Sequence, residues 1–122
     1  AAGDARVVEW DPRDPDRACK ATPVRQVTNF YACYGDEVLP NQKNDELGHG
    51  KERAVAIADV LDAHAGAQDE AVAWKALRAA AQEPNPEDIT SNTQWSVIFD
   101  NTEPAAAITL RRHWGDVDAF AL

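Results

Sequence analysis

The chain has 122 residues, 44% of them apolar and 27% charged, and a formal net charge of -9. A domain of this length buries roughly two-thirds of its unfolded surface, so a core is within reach without metals or a disulfide framework. The acidic excess argues against nucleic acid and anionic lipid as partners, since phosphate binding draws on Lys and Arg, and no apolar run approaches the ~20 residues that cross a bilayer.

The start, AAGDARVVEW, has neither a basic n-region nor an apolar h-region and no initiator Met. It is not an intact signal peptide, and the terminus is expected to have been set by processing or by the choice of segment. ARVVEW (residues 5–10) reads as a short strand. DPRDPDRACK follows as an exposed loop, because its Asp-Pro steps interrupt ladder pairing. Over residues 23–30, Val24, Gln26, Thr28 and Phe30 alternate with Arg25, Val27, Asn29 and Tyr31. That pattern predicts a second strand. Residues 35–48 are polar and carry a Gly near each end, which predicts a long loop, and long loops in small domains are often functional.

A helix is expected from about Gly50, with Arg53, Ile57, Val60, Leu61 and His64 on one stripe and Gly66 as its C-cap. A second helix is expected from Gln68 or Asp69, with an acidic first turn that suits the helix dipole. Its inner stripe would be Trp74, Leu77 and Ala81, and Pro84 and Pro86 would stop it. TQWSVIFD alternates cleanly and reads as a core strand, NTEP as a turn, and AAAITLRRHW as the returning strand. DVDAFAL is a candidate last strand. The order β, β, α, α, β, β, with a further β, predicts one α+β domain over residues 1–122 with antiparallel pairing.

Few residues suggest chemistry. There is no Gly-rich phosphate loop and no HExxH, and His49, His64 and His113 lack metal-ligand spacing, so neither a metal nor a cofactor is expected. His64 is expected packed or half-exposed on its helix, and His113 at a strand end. Cys19 and Cys33 are too few for a disulfide framework and show no CxxC spacing. Two free thiols are favoured over a bridge, which leaves the compartment open. Arg53 on an apolar stripe must be paired or must snorkel, or else it points its guanidinium into a site. Asn29 in VTNFY is a turn former or an amide donor to an oxyanion.

VRQVTNFY, then GHGKER opening a helix, then NTQWSVIFDNTEPAAAITLRRHW and a terminal DVDAFAL together resemble the C-terminal part of the choloylglycine hydrolase family, in its linear amide C–N hydrolase branch. The resemblance runs from about Val24 to Leu122 and rests on the joint order of these segments. It implies part of a four-layer αββα N-terminal-nucleophile sandwich. It also implies hydrolysis of a small non-peptide amide by an N-terminal Cys whose own α-amine is the base. That amine has an ordinary pKa of about 7.7–8.0, which suits it to the task. By the same resemblance Asn29 matches the family's oxyanion-hole Asn, and Arg53 the Arg near the nucleophile. Gly50 stands where many relatives carry Ser.

Ala1 has no nucleophilic side chain, and Cys19 and Cys33 are internal. The expectation is therefore a C-terminal segment that is inactive alone, with the N-terminal half of the same enzyme, or a second copy, as its partner. The alternative is a non-enzymatic α+β interaction module. Half of such a sandwich leaves a sheet face that seeks a partner, and Trp10, Trp95 and Trp114 are candidates for that surface. A secreted domain held by a Cys19–Cys33 bridge is a third option.

Overall fold

A computed structural model describes residues 5–10, 14–35, 49–67, 69–88 and 91–122, in which two antiparallel sheets and two helices make an α+β fold. Contacts divide the chain into two compact units, Ala1–Ala58 and Asp59–Leu122.

In the first unit, β1 (Arg6–Trp10) pairs antiparallel with β2 (Cys19–Pro23), in register from Arg6 opposite Pro23 to Trp10 opposite Cys19. The strand expected over residues 23–30 therefore lies earlier in the chain, and the loop expected through Lys20 ends sooner. The cause is local. Asp14 takes the backbone N–H groups of Asp16 and Ala18 on its carboxylate and that of Arg17 on its carbonyl. This builds a tight turn that delivers Cys19 opposite Trp10, and a short connection closes at lower entropic cost than a long one. The ladder stops where Val24 N–H reaches Ala5 O at 3.0 Å.

Residues 24–30 form no strand, yet their alternation survives as burial. Val24, Gln26, Thr28 and Phe30 are half-buried, whereas Arg25, Val27 and Asn29 are exposed. Phe30 covers Gly35, where an added Cβ would lie 2.1 Å from the ring. The rest of the expected 35–48 loop, residues 36–48, lies outside the described residues.

Helix α1 (His49–Ala63) begins in the first unit and ends in the second. Arg53, Ile57, Val60, Leu61 and His64 are all half-buried, as their stripe requires, while Glu52, Val55, Asp59 and Asp62 are exposed. Gly66 is not the left-handed cap expected, since no described glycine has positive φ. The helix instead closes by tightening: His64 N–H reaches Leu61 O and Ala65 N–H reaches Asp62 O, both at 3.3 Å. Such three-residue bonds satisfy terminal carbonyls without a left-handed residue.

Helix α2 (Glu70–Ala79) starts as expected, with Asp69 as N-cap accepting from Val72 N–H at 3.0 Å. It ends before Ala81, well short of Pro84. Its buried residues are Val72 and Ala76, with Trp74, Leu77 and Ala81 only half-buried. The stripe is thus rotated from the one read off the large side chains. Small residues let α2 approach the sheet, and the bulkier ones flank the contact.

That sheet has the order β3-β4-β5, with β3 (Trp95–Asp100), β4 (Ala105–Leu110) and β5 (Asp118–Ala121) all antiparallel. α2 packs against β3. The buried sheet residues are Ser96 and Thr109, which face each other in register. Val72 and Ala76 are the buried apolar residues among those described. β3 is accordingly not the apolar core strand expected. The other face carries Trp95, Phe99, Leu110 and Phe120, exposed by 61%, 59%, 56% and 53%. Apolar area left in water forfeits about 25 cal/mol per Å², so this face is the least satisfied part of the unit.

β4 ends at Leu110 rather than continuing to Trp114, because Arg111 and Arg112 take left-handed backbone angles, φ 48° and 63°. That conformation costs an L-residue roughly 1–2 kcal/mol. Arg112 offsets it with contacts. Its Nη1 reaches Asn92 Oδ1 at 2.5 Å, Thr93 O at 3.0 Å and Gln82 O at 3.3 Å, and its Nε lies 3.2 Å from Glu83 Oε2. Buried Thr109 donates its hydroxyl to His113 O at 2.8 Å and Asp116 O at 3.0 Å, which fixes the same turn. His113 thus lies just past the strand end.

Candidate functional site

The two residues singled out in the sequence, Asn29 and Arg53, meet. Arg53 Nη2 donates to Asn29 Oδ1. Three features of the chain bring them together. Thr28 donates its hydroxyl to Gly50 O at 2.6 Å, tying the irregular segment to the first turn of α1. Gly50 permits the approach, because an added Cβ would sit 2.7 Å from Asn29 Oδ1 and 2.8 Å from both Asn29 C and Phe30 N. Gly50 and Arg53 are three apart in the helix, so the residue that must be small and the one that reaches back share a face.

The chemistry fixes the amide's orientation. A guanidinium has only donors, so the atom of Asn29 that faces it is the oxygen. The Nδ2–H₂ group then points away from Arg53 and has no acceptor among the described residues. Asn29 itself is exposed and Arg53 half-buried. Lys51 adds a second cation nearby, its Nζ 5.6 Å from the centre of the Phe30 ring. The arrangement offers an oriented amide donor beside a guanidinium.

Among the described residues, neither internal cysteine has a base hydrogen-bonded to its thiol. Both are free, Cys19 exposed and Cys33 half-buried. The Cys33 thiol contacts the Thr22 hydroxyl, which is not a base of useful strength. Glu9, which sequence reasoning passed over, holds this corner: its carboxylate accepts from Ala32 N–H at 2.8 Å and Cys33 N–H at 2.7 Å. The available signal was an acidic residue alternating with Val8 and Trp10 inside a strand. Thr28 was also missed, although it sits beside Asn29 in the same motif.

In the second unit a cavity of about 710 Å³ lies between the first turn of α2 and the β3–β4 hairpin end. Three carboxylates line it, and each is engaged locally. Asp69 caps α2, Glu70 accepts from Trp74 Nε1 at 3.1 Å, and Asp100 accepts from Thr102 N–H at 2.7 Å and Glu103 N–H at 3.2 Å. The two backbone donors hold the Asp100 carboxyl below the usual aspartate range. Asp69 and Asp100 thus hold a helix cap and a turn, and Glu70 holds the Trp74 indole.

Among the described residues, no group of three His, Cys, Asp or Glu could hold a metal ion, and no helix is long and apolar enough to cross a membrane. Of the three tryptophans expected on an interaction surface, Trp10 and Trp95 are exposed, by 51% and 61%. Trp114 instead packs edge-on against Trp74, with ring centroids 6.4 Å apart. Comparison with protein-family models, with curated proteins and with solved structures finds no match.

Proposed function

We propose that this chain is the C-terminal portion of a Cys-dependent N-terminal-nucleophile hydrolase that cleaves a small, non-peptide linear amide, of the choloylglycine hydrolase kind. The observation that carries this reading is the hydrogen bond from Arg53 to Asn29 Oδ1, which turns the Asn29 amide protons away from Arg53, with no acceptor for them among the described residues. Attack of a thiolate on an amide carbonyl places negative charge on the carbonyl oxygen. An oriented Asn N–H₂ stabilises that charge as it forms. The thiol proton passes to the α-amine and then to the leaving nitrogen as the C–N bond breaks, and water hydrolyses the resulting thioester.

Two further features fit a shared active site. Asn29 is exposed, and a donor of this kind is effective only where water is excluded. The N-terminal half of the enzyme would supply the cover, together with the nucleophile. The open face of the three-stranded sheet suits the inner layer of an αββα sandwich, where a second sheet packs about 10 Å away. The test is reconstitution. The chain alone hydrolyses no amide, and joining it to the Cys-initiated half of its source polypeptide yields activity. A source polypeptide with no Cys-initiated half would sink the proposal.

The open sheet face also supports a second reading, a non-enzymatic interaction module. Partner binding would then be lost on Phe99→Asp and unchanged by Asn29→Ala, whereas the hydrolase reading requires Asn29→Ala to abolish most activity.

A further inference from the structure

A second recessed site lies on the exposed side of α2. A cleft of about 290 Å³ is lined by Ala71, Trp74, Lys75, Arg78, Trp114 and Val117. Its size is at the small end of ligand-binding clefts, and its make-up, mostly apolar with a few polar groups, is typical of them. Two indoles at 69° to one another form adjoining walls. The Arg78 guanidinium lies 5.2 Å from the centre of the Trp114 ring.

The charge here runs against the rest of the molecule. The chain has 21 acidic residues against 12 basic ones, yet Lys75 and Arg78 have no carboxylate partner among the described residues. Glu70, one turn back, spends its carboxylate on Trp74 Nε1. Lys75 Nζ lies 3.2 Å from His64 Nε2, and His64 Nδ1 lies 2.8 Å from Val60 O. A carbonyl accepts only, so Nδ1 carries the ring proton and Nε2 accepts from the ammonium. His64 thereby steers Lys75 without neutralising it. The helix dipole favours cations near this end of α2, but it does not require two indoles beside them.

We infer that this cleft binds a small carboxylate carried on an apolar ring. The ring stacks against Trp74 and Trp114, and the carboxylate pairs with Arg78 and Lys75. Guanidinium–carboxylate pairing beside an aromatic face combines planar recognition with partial exclusion of water. The site is independent of Asn29 and Arg53.

The test follows the indole N–H signals of the full chain by NMR during titration with benzoate and 1-naphthoate, with benzyl alcohol and 1-naphthalenemethanol as neutral counterparts. The acids should shift Trp74 and Trp114 saturably and leave Trp10 and Trp95 in place. The alcohols should bind about tenfold more weakly, the loss expected for one charge-assisted contact. Arg78→Gln and Lys75→Gln alter exposed side chains, so the fold should persist while the preference for the acid falls. No saturable shift at Trp74 and Trp114, equal affinity for acid and alcohol, or an unaltered preference in both variants would each overturn the inference.

Discussion

Arg53 holds Asn29 by its amide oxygen. Because the guanidinium cannot accept, this one contact decides which end of the amide is available to anything else. A lone Asn in an irregular segment would sample both orientations. Paired with Arg53, it presents N–H₂. An arginine on the inner stripe of α1 is thereby accounted for as the group that fixes a donor, beyond any contribution it makes to packing.

Gly50→Ala tests how closely the segment approaches. In an exposed helix interior this change stabilises by up to about 1 kcal/mol. Here the new methyl would sit 2.7 Å from Asn29 Oδ1 and 2.8 Å from the backbone at Asn29 and Phe30. Backbone that must shift costs about 1–3 kcal/mol, so the net sign reverses. Urea denaturation should show a lower midpoint for the variant, with its slope unchanged.

The open sheet face predicts self-association of the isolated chain. Phe99 and Phe120 are more than half exposed, so replacing both with Asp forfeits only the buried remainder of each ring and should cost the monomer about 1–2 kcal/mol each. Sedimentation at rising concentration should show oligomers for the natural chain and monomer for the double variant.

Arg112→Ala should destabilise the second unit by about 2–4 kcal/mol, since it removes a half-buried cation and leaves acceptors unpaired. Glu83→Ala should cost less than about 0.5 kcal/mol, because that carboxylate is 81% exposed and surface ion pairs contribute little. Chemical denaturation of the two variants separates the effects. Faster amide exchange at Thr93 and Arg111 in Arg112→Ala would locate the loss.

Asp100 should titrate below an aspartate in an unfolded peptide, because the N–H groups of Thr102 and Glu103 favour its charged form. A carboxyl whose folded pKa is lowered stabilises the fold above its unfolded pKa. That contribution is lost as pH falls through the lowered value. NMR titration of the Asp100 side-chain carbon should give the lower midpoint in the folded chain, and Asp100→Ala should remove the acid sensitivity of the 101–104 turn.

These relationships were unequally legible in the sequence. The β3–β4 hairpin was readable because TQWSVIFD and AAAITL alternate on either side of a turn sequence, so period and punctuation agree. The segment VRQVTNFY alternates just as well, and its residues do alternate in burial. What alternation cannot reveal is which segment pairs with β1, and that place is filled by Cys19–Pro23 directly before this segment. The ends of α1 and β4 were misjudged for one reason. Gly66 is the residue expected to take the left-handed conformation that glycine tolerates, whereas Arg17, Arg111 and Arg112 adopt it, the last two at the end of β4. Contacts made by Arg112 far along the chain outweigh the local preference. Which face of β3 packs is not legible in its alternation; small Ser96, with Ala107 of β4 on the same side of the sheet, lies on the face that packs.

Asn29 and Arg53 each stand out through the family resemblance, but their contact is a finding of the structure, since nothing in their spacing encodes it. Gly50 was the overlooked clue, since a glycine in a first helical turn gains meaning once another backbone lies against it.

The most direct test of the central claim is the amide-hydrolase activity of the complete source polypeptide carrying Asn29→Ala. Loss of one oxyanion donor lowers kcat by about 10²–10³, with KM little altered because the interaction forms in the transition state. That fall in kcat at unchanged KM is the expected result. A complete polypeptide whose kcat is unaffected by Asn29→Ala, or one that hydrolyses no linear amide, would contradict it.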